Sequence, residues 1–283
     1  MSITEKPFVV QCGREKVSAV VYAQSRPSRL LQLIHGHHQD GHWAPYQSLI
    51  EPFLLNGWDV VVHKTTRKQT LIESKRWHHP KLSSTHLDSM QYAWYVPSLA
   101  QEQAQANAVL ACMMREQHYS HVAILGHSLH AHIAYELARE GVRNARRTVI
   151  ALTPVIDLER QREKKLEQIG IPSTNDTRFV EGGATTHHDK YCCVRQIMVY
   201  RNDFWNDYET RVQRDAARTA IAQWFGPSII IGGEEDTTLG PDEITTAMTA
   251  SRGCATLLTY GGGHRPNIAE ARELGQKLVT MLR

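Results

Sequence analysis

Short apolar runs recur along the chain, and most of them are followed by a longer segment with helical periodicity. Several runs, such as Asp59-Val-Val-Val and Ser228-Ile-Ile-Ile, show no alternation between apolar and polar positions, which is typical of strands buried on both faces of a parallel sheet. The runs predict strands at 8–11, 17–23, 30–34, 59–63, 121–125, 148–152, 228–231 and 255–260. The other periodic segments predict helices at about 42–56, 97–117, 129–140, 242–251 and 266–282.

Strand and helix alternate from about residue 30 onward, which predicts an α/β fold with a mostly parallel eight-stranded sheet flanked by helices. The first two strands have no helix between them and are expected to form an antiparallel hairpin at the sheet edge. Residues 64–96 are expected to form a long polar loop, and residues 155–225 an insertion between the sixth and seventh strands. Because insertions of this length are usually functional, we interpret 155–225 as a lid and 1–154 with 226–283 as the core.

The composition is that of an ordinary globular protein, with 283 residues of which 41% are hydrophobic and 22% charged. A formal net charge of +3 argues against a broad nucleic-acid-binding surface. The first residues show no signal-peptide pattern, and no apolar run approaches the roughly 20 residues of a membrane-spanning helix. The five cysteines are odd in number and lack C-x-x-C spacing, so we expect a cytoplasmic protein. From the low net charge and the missing apolar run, we expect no nucleic-acid and no membrane partner.

A serine lies at the end of the fifth apolar run, in the sequence Gly126-His127-Ser128-Leu129-His130. A strand, a sharp turn with serine at its tip and a helix rich in small residues follow one another here. In this context a G-x-S-x-G pattern marks a nucleophile elbow, which holds the hydroxyl clear of the sheet. We therefore interpret Ser128 as a nucleophile rather than as a helix N-cap. His130 departs from the pattern, because it stands where the second glycine is usual.

A serine hydroxyl becomes a good nucleophile only when a base takes its proton and a third group orients that base. Asp236 follows the seventh predicted strand, and His264 follows the eighth after a run of three glycines. The chain order Ser, Asp, His is one of the known orders of serine triads. We therefore predict a triad of Ser128, Asp236 and His264. The competing acids are Glu234, Glu235 and Asp157.

The third predicted strand ends at a turn from strand to helix that contains His35, Gly36 and His37. We expect an oxyanion hole formed by the main-chain N–H of Leu129 and by that of His37 or of the residue one position away. We also expect substrate contacts from His35 and His38 at this turn and from His127, which precedes Ser128.

Two further groups of residues admit more than one interpretation. Phe204, Trp205 and Tyr208 of the insertion are predicted either as a hydrophobic wall for a substrate or as the core of the lid. The histidines of residues 35–42 suggest a metal site, but a metallo-hydrolase motif H-x-H-x-D-H would require Asp at 39 and His at 40. The chain has Gln39 and Asp40 there, so we expect no metal and no cofactor.

From about residue 30 to its end, the chain resembles the α/β-hydrolase superfamily. Within it, the chain is similar to the acyl-transferase/acyl-carrier-protein thioesterase of bacterial bioluminescence systems, whose elbow also lacks the second glycine. The similar pieces are Ser128-Leu-His-Ala131, Ile133-Ala-Tyr-Glu136, Val155-Ile-Asp-Leu158, Glu163-Lys-Lys-Leu-Glu-Gln-Ile-Gly170, Asp203-Phe-Trp205, Asp236 and Gly263-His264. Gly126-His127 and the histidine-rich loop depart from that family.

This resemblance implies an α/β-hydrolase fold, an acyl-serine intermediate on Ser128 and a lid over an acyl pocket. We therefore expect a serine-dependent acyl hydrolase or acyltransferase, thioesterase-like, that acts on a small-molecule ester or thioester and takes an acyl-carrier protein as a partner. One alternative is a carboxylesterase or lactonase that acts on a small free ester. A second alternative is a binding protein with the hydrolase fold and no catalysis.

Overall fold

A computed structural model of the protein describes residues 4–24, 27–36, 44–63, 68–72, 91–140, 145–169, 179–182, 197–200, 202–240 and 242–283. The chain divides into two compact units. The first comprises Met1–Thr65, Gln103–Leu158 and Gln213–Arg283, and the second comprises Thr66–Glu102 and Glu159–Val212.

In chain order the strands are β1 (Thr4–Cys12), β2 (Glu15–Ala23), β3 (Arg29–Ile34), β4 (Asp59–His63), β5 (Lys68–Ile72), β6 (Gln91–Val96), β7 (His121–His127), β8 (Arg146–Leu152), β9 (Phe179–Gly182), β10 (Ile197–Tyr200), β11 (Ser228–Gly233) and β12 (Ala255–Tyr260). The helices are α1 (Ala44–Leu55), α2 (Leu99–Glu116), α3 (Ala131–Glu140), α4 (Leu158–Ile169), α5 (Asn202–Gln213), α6 (Ala216–Ala222), α7 (Glu243–Ala250) and α8 (Ile268–Met281). A single 3₁₀ turn, Ser128–His130, joins β7 to α3.

The first unit is built around an eight-stranded sheet with the order β1-β2-β4-β3-β7-β8-β11-β12. β1 and β2 form an antiparallel hairpin, β2 is also antiparallel to β4, and the other neighbours are parallel. Every residue of β7 is buried, which explains why its sequence is apolar without alternation. The eight predicted strands, the mostly parallel sheet and the edge hairpin are thereby confirmed.

Helices cover both faces of this sheet. On one face, alternate residues of the central strands form a core cluster with residues of α1 and α8. These two helices approach closely at Gly275, where a Cβ atom would lie 2.3 Å from the carbonyl oxygen of Leu49. On the other face, the side chain of Gln32 donates a hydrogen bond to the carbonyl of Ala106 in α2, and α3 packs on β7 and β8.

The second unit contains a four-stranded sheet with the order β5-β6-β10-β9. The expectation that residues 64–96 form a loop is wrong in part, because β5 and β6 lie within them. β6 pairs in parallel with β10, a strand far along the chain, and local sequence patterns do not reveal such a pairing. The predicted lid, 155–225, shares residues 159–212 with this unit, which also takes in residues 66–102.

Within the described part of the chain, no helix combines the length and the apolarity that crossing a membrane requires. The thiols of Cys12, Cys112 and Cys254 are free. Cys192 and Cys193 lie outside the described residues.

Candidate active site

Four polar residues follow neighbouring parallel strands at one edge of the eight-stranded sheet. Ser128 follows β7 and Thr153 follows β8, while Asp236 lies just beyond β11 and His264 just beyond β12. These four strands are consecutive in the sheet. The carboxyl ends of parallel strands are the usual location of ligand sites in α/β sheets. The strand order therefore brings together residues that are far apart in the sequence.

Ser128 lies in a tight turn between strand and helix. Its φ is +58°, a left-handed conformation that non-glycine residues rarely adopt. The turn needs glycine at position 126, because a Cβ atom there would lie 2.5 Å from the carbonyl oxygen of His130 and 2.8 Å from the Cα atom of Ala131. Ser128 is partly exposed. The predicted strand, strained turn and helix are therefore all present.

His130, at the place of the missing second glycine, has a buried side chain. Its Nδ1 atom lies 2.5 Å from the main-chain carbonyl oxygen of His35. A carbonyl oxygen only accepts, so the proton is assigned to Nδ1. The ring therefore links the serine turn to the loop after β3, which a glycine could not do.

Ser128, His264 and Asp236 form a continuous chain of hydrogen bonds. The Oγ atom of Ser128 lies 2.8 Å from Nε2 of His264, and Nδ1 of His264 lies 2.8 Å from Oδ2 of Asp236. Because a carboxylate accepts, Nδ1 carries the proton and Nε2 is free to accept the proton of the serine hydroxyl. The structure thus brings together the three residues predicted from the sequence. The acid bonded to the imidazole is Asp236 rather than Glu234, Glu235 or Asp157.

Asp236 is held in its ionised form. Its Oδ1 atom accepts hydrogen bonds from the main-chain N–H groups of Thr238, at 2.8 Å, and Leu239, at 3.1 Å. Burial alone would raise the pKa of Asp236, but the hydrogen bond from His264, its charge and these two amides outweigh burial. The pKa therefore lies below its ordinary value. An ionised Asp236 can keep the Nδ1–H group of His264 oriented.

The loops after β11 and β12 pack directly on each other. The N–H of Glu235 donates to the carbonyl of Gly262 at 3.0 Å. A Cβ atom at Gly233 would lie 2.3 Å from the carbonyl oxygen of Gly263. Glycine is therefore required at 233, where the backbone that leads to Asp236 contacts the backbone that leads to His264.

The loop after β3 is described only as far as Gly36. His37, the predicted oxyanion donor, and His38, a predicted substrate contact, lie outside the described residues. The N–H of Gly36 donates to the hydroxyl of Tyr46 at 2.7 Å, so this amide bonds to the protein itself. His35 is buried, and its Nδ1 atom donates to the carbonyl of Gly36 at 3.0 Å. Leu129 follows the serine in the 3₁₀ turn, and the role of its amide stays a prediction.

His127, predicted as a substrate contact, is only 1% exposed, and both of its ring nitrogens bond to protein atoms. Nδ1 lies 2.5 Å from the hydroxyl of Tyr46, and Nε2 lies 3.2 Å from the main-chain carbonyl oxygen of His264. Burial, together with the neighbouring His264, lowers the pKa of His127 well below its ordinary value, so the ring is neutral. The ring thus contacts Tyr46 and His264 instead of lining an open pocket.

Two residues of the site, Tyr46 and Thr153, are absent from the sequence prediction. The hydroxyl of Tyr46 bonds to both Gly36 and His127. The hydroxyl of Thr153 donates to the main-chain carbonyl of His264 at 3.0 Å. The only sequence signal for Thr153 is its place after the strand that follows the serine turn, and Tyr46 carries no such signal within its helix.

Phe204 and Trp205 lie in α5 of the second unit. Phe204 is buried, with ring centroids 5.4 Å from Trp205 and 5.6 Å from Tyr208. Aromatic clusters of this kind stabilise a core through the area that they bury and their edge contacts. For Phe204 this packing favours the lid-core interpretation. A substrate contact from Trp205, which is partly exposed, stays a prediction.

Among the described residues, no group of three or more His, Cys, Asp or Glu side chains is arranged to hold a metal ion. Of the histidine-rich run 35–42 that suggests a metal in the sequence, only His35 and Gly36 lie among those residues.

Comparison with solved structures identifies the fold. The esterase domain of a Rhodothermus marinus protein has a TM-score of 0.63 at 13% identity, over 99% of this chain and 98% of that chain. An esterase from Pyrococcus furiosus has a TM-score of 0.64 at 12% identity, over 99% and 90%. Est1E from Butyrivibrio proteoclasticus, solved with bound ferulic acid, has a TM-score of 0.66 at 14% identity, over 97% and 98%. The protein therefore has the α/β-hydrolase fold, as the sequence predicts.

No protein-family model and no curated protein sequence matches the chain.

Proposed function

We propose that the protein is a serine-dependent acyl hydrolase, in which Ser128 forms an acyl-serine intermediate from an ester or thioester. The observation that carries the proposal is the pair of 2.8 Å hydrogen bonds that runs from Asp236 through His264 to Ser128. The pair ends at a partly exposed serine in a strained turn. This arrangement activates a hydroxyl for nucleophilic attack.

In the first half-reaction, Oγ of Ser128 attacks the acyl carbon while Nε2 of His264 takes the hydroxyl proton. The main-chain N–H groups assigned to Leu129 and His37 stabilise the charge that develops on the carbonyl oxygen. The imidazolium then gives its proton to the alcohol or thiol as the bond to the acyl carbon breaks. Asp236 keeps His264 in the Nδ1–H tautomer and stabilises the imidazolium.

In the second half-reaction, water takes the place of the leaving group. His264 removes a proton from the water as its oxygen attacks the acyl carbon, and then returns a proton to Oγ of Ser128 as the carboxylic acid leaves. An alcohol or thiol acceptor in place of water would give acyl transfer by the same steps.

Two classes of acyl donor are supported by different observations. A free ester is supported by the names of the solved neighbours, and an ester of a hydroxycinnamic acid in particular by the ferulic acid bound to Est1E. A thioester on an acyl-carrier protein is supported by the resemblance around Ser128 and His130. We place the free ester first, because the structural similarity to the esterases covers nearly the whole chain, whereas the resemblance to the thioesterase rests on short segments.

The nucleophile is tested by hydrolysis of p-nitrophenyl acetate with wild type, Ser128→Ala and Ser120→Ala. Ser120 precedes β7 and Ser128 follows it, so the control removes a serine hydroxyl from the opposite end of the same strand. We expect Ser128→Ala to lower kcat by roughly 10⁴–10⁶-fold. Ser120 is exposed, so Ser120→Ala should behave as wild type, since substitutions at exposed positions have small effects. Undiminished turnover by Ser128→Ala would overturn the proposal.

The donor class is tested with one acyl group on three carriers, namely ethyl butyrate, butyryl-CoA and a butyryl acyl-carrier protein. A higher kcat/KM for the ethyl ester supports the free-ester assignment. A higher kcat/KM for the carrier protein supports the thioesterase assignment and the acyl-carrier partner. Failure of a fluorophosphonate probe to label wild type, with no turnover of any donor, would support the binding-protein alternative.

A further inference from the structure

The main-chain carbonyl of His264 is held by two side chains from neighbouring strands. Its oxygen lies 3.2 Å from Nε2 of His127 and 3.0 Å from Oγ1 of Thr153. A carbonyl oxygen has two lone pairs, so both donors can bond to it at once. His264 is therefore fixed both at its ring, by Ser128 and Asp236, and at its main chain.

The direction of these bonds follows from a group that can only accept. The carbonyl oxygen of His264 only accepts, so the proton of a neutral His127 is assigned to Nε2. Nδ1 of His127 then accepts the hydroxyl proton of Tyr46 at 2.5 Å, and the oxygen of that hydroxyl accepts from the N–H of Gly36. Deep burial keeps the pKa of His127 low, so this tautomer is retained.

Thr153 adopts a conformation that threonine rarely takes. Its φ is +42°, and a β-branched residue at positive φ is an outlier whose cost is on the order of 1–3 kcal/mol. The side chain is fully buried, and the N–H donates to the carbonyl of Ile231 at 2.8 Å. Glycine would relieve the strain but would lack the hydroxyl that reaches His264. Threonine at 153 is therefore explained by the hydrogen bond that its hydroxyl donates, and not by the backbone conformation, which would favour glycine.

We propose that His127 and Thr153 are positioning residues, which fix the imidazole of His264 against Ser128 by clamping its main-chain carbonyl. The inference rests on the proposed function, because it takes His264 as the base. His127 adjoins Ser128 in the chain, so its bond ties the loop of the base to the strand of the nucleophile. Thr153 follows β8, the strand paired with β7, and supplies a second fixed point.

Loss of the clamp has a signature that general destabilisation lacks. Misplacement of a catalytic group by about 1 Å can lower a rate on the order of 10²-fold. An alkyl ester needs a proton from His264 on its leaving alcohol, whereas p-nitrophenolate leaves without one. Both esters give the same acyl-serine, so the leaving group affects acylation, which kcat/KM reports. A displaced His264 should therefore reduce kcat/KM more for an alkyl ester than for a p-nitrophenyl ester.

The test uses variants that change one hydroxyl or one ring. Thr153→Val removes the hydroxyl and keeps the β-branched shape, and Thr153→Ser keeps the hydroxyl. His127→Leu removes the second donor, and His127→Gln retains an N–H donor. Thr148→Val is the control. Thr148 lies in β8, the strand that Thr153 follows, and its hydroxyl bonds to His121 at 3.0 Å instead of to His264. Each variant is assayed on ethyl butyrate and p-nitrophenyl butyrate, with unfolding measured in parallel.

We expect Thr153→Val and His127→Leu each to lower kcat/KM for ethyl butyrate by about tenfold, and the double variant by about 10²-fold. The loss on p-nitrophenyl butyrate should be smaller. Thr153→Ser and His127→Gln should recover most of the rate, and Thr148→Val should keep it on both esters.

The outcomes separate the clamp from the function on which it rests. Wild-type kcat/KM in both Thr153→Val and His127→Leu, with Ser128→Ala inactive, would overturn the clamp and leave the proposed function standing. Equal losses on the two esters without rescue by Thr153→Ser would also overturn it, since a structural role alone predicts that pattern. Turnover by Ser128→Ala would overturn the proposed function.

Discussion

The ring of His130 donates a hydrogen bond of 2.5 Å to the main-chain carbonyl of His35. This bond joins the serine turn to the loop after the adjacent strand β3. A glycine at 130, as in the usual elbow pattern, would leave that buried carbonyl without this donor. Histidine at 130 thus supplies a hydrogen bond that the glycine of the usual pattern could not form.

Replacing His130 with glycine should therefore destabilise the protein instead of restoring a better elbow. We expect His130→Gly to lower the free energy of unfolding by about 1–3 kcal/mol, because a buried acceptor loses its donor. Urea unfolding checks this, with His118→Ala as a control, since His118 is exposed. A stability equal to or above that of wild type would show that the bond to His35 contributes nothing.

Gly126 and Gly261 form a matched pair for the geometry of the site. A Cβ atom at 126 meets backbone atoms at 2.5 and 2.8 Å, whereas a Cβ atom at 261 meets nothing within 4 Å. We expect Gly126→Ala to lose more than about 2 kcal/mol of stability together with esterase turnover, because backbone cannot move aside as a side chain can. Gly261→Ala should keep both. Thermal unfolding and p-nitrophenyl acetate hydrolysis measure the two effects, and an unchanged Gly126→Ala would contradict the geometry of the turn.

Asp236 and Glu235 test which acid orients the imidazole. Asp236→Asn keeps the size of the side chain but no longer holds His264 in the Nδ1–H tautomer. We expect kcat for ester hydrolysis to fall by about 10⁴-fold. Glu235 is exposed, so Glu235→Gln should leave kcat near that of wild type. A larger loss in Glu235→Gln than in Asp236→Asn would reverse the assignment.

His121 should give the stability a pH dependence that is separate from catalysis. Burial, with the charges of Arg146 and Arg29, lowers the pKa of His121 to about 4. Between the ordinary value of 6.5 and about 4, the unfolded chain binds a proton that the folded protein does not. As the pH decreases through this window, His121 therefore lowers the free energy of unfolding, by at most about 1.4 kcal/mol per pH unit.

The measurement compares unfolding free energies of wild type and His121→Gln from pH 7.5 to pH 4.5. The difference between the two proteins should shift in favour of the variant as the pH falls below 6.5. Parallel curves over the whole range would mean that His121 titrates alike in the folded and unfolded states.

The sheet of the first unit and the three residues of the proposed triad could be predicted from sequence for one physical reason. Strands buried on both faces leave apolar runs without alternation, and active residues follow such runs at the carboxyl edge. Tyr46 and Thr153 escape this reasoning, because each bonds to a main-chain group, Tyr46 to the N–H of Gly36 and Thr153 to the carbonyl of His264. A main-chain partner leaves no mark in the sequence. Tyr46 also bonds to the ring of His127, which only the fold brings near it.

The second unit shows where local patterns fail. β6 is a short aromatic run within a polar segment, and it pairs with β10 and β5. Only the fold brings these partners together, so the strand could not be told from a loop by its own residues. Helix α5 of this unit and helix α6 of the first unit both lie inside the predicted insertion 155–225, where periodicity alone does not separate helices from coil.

In the proposed mechanism, Ser128 carries the acyl group during turnover. The most direct test is rapid acid quenching of the protein with p-nitrophenyl butyrate, followed by intact-mass measurement and peptide mapping, with a fluorophosphonate as the stable analogue. We predict a single adduct on the peptide containing Ser128 in wild type and none in Ser128→Ala. An adduct on another residue, or active wild type without an adduct from either reagent, would contradict an acyl-serine intermediate on Ser128.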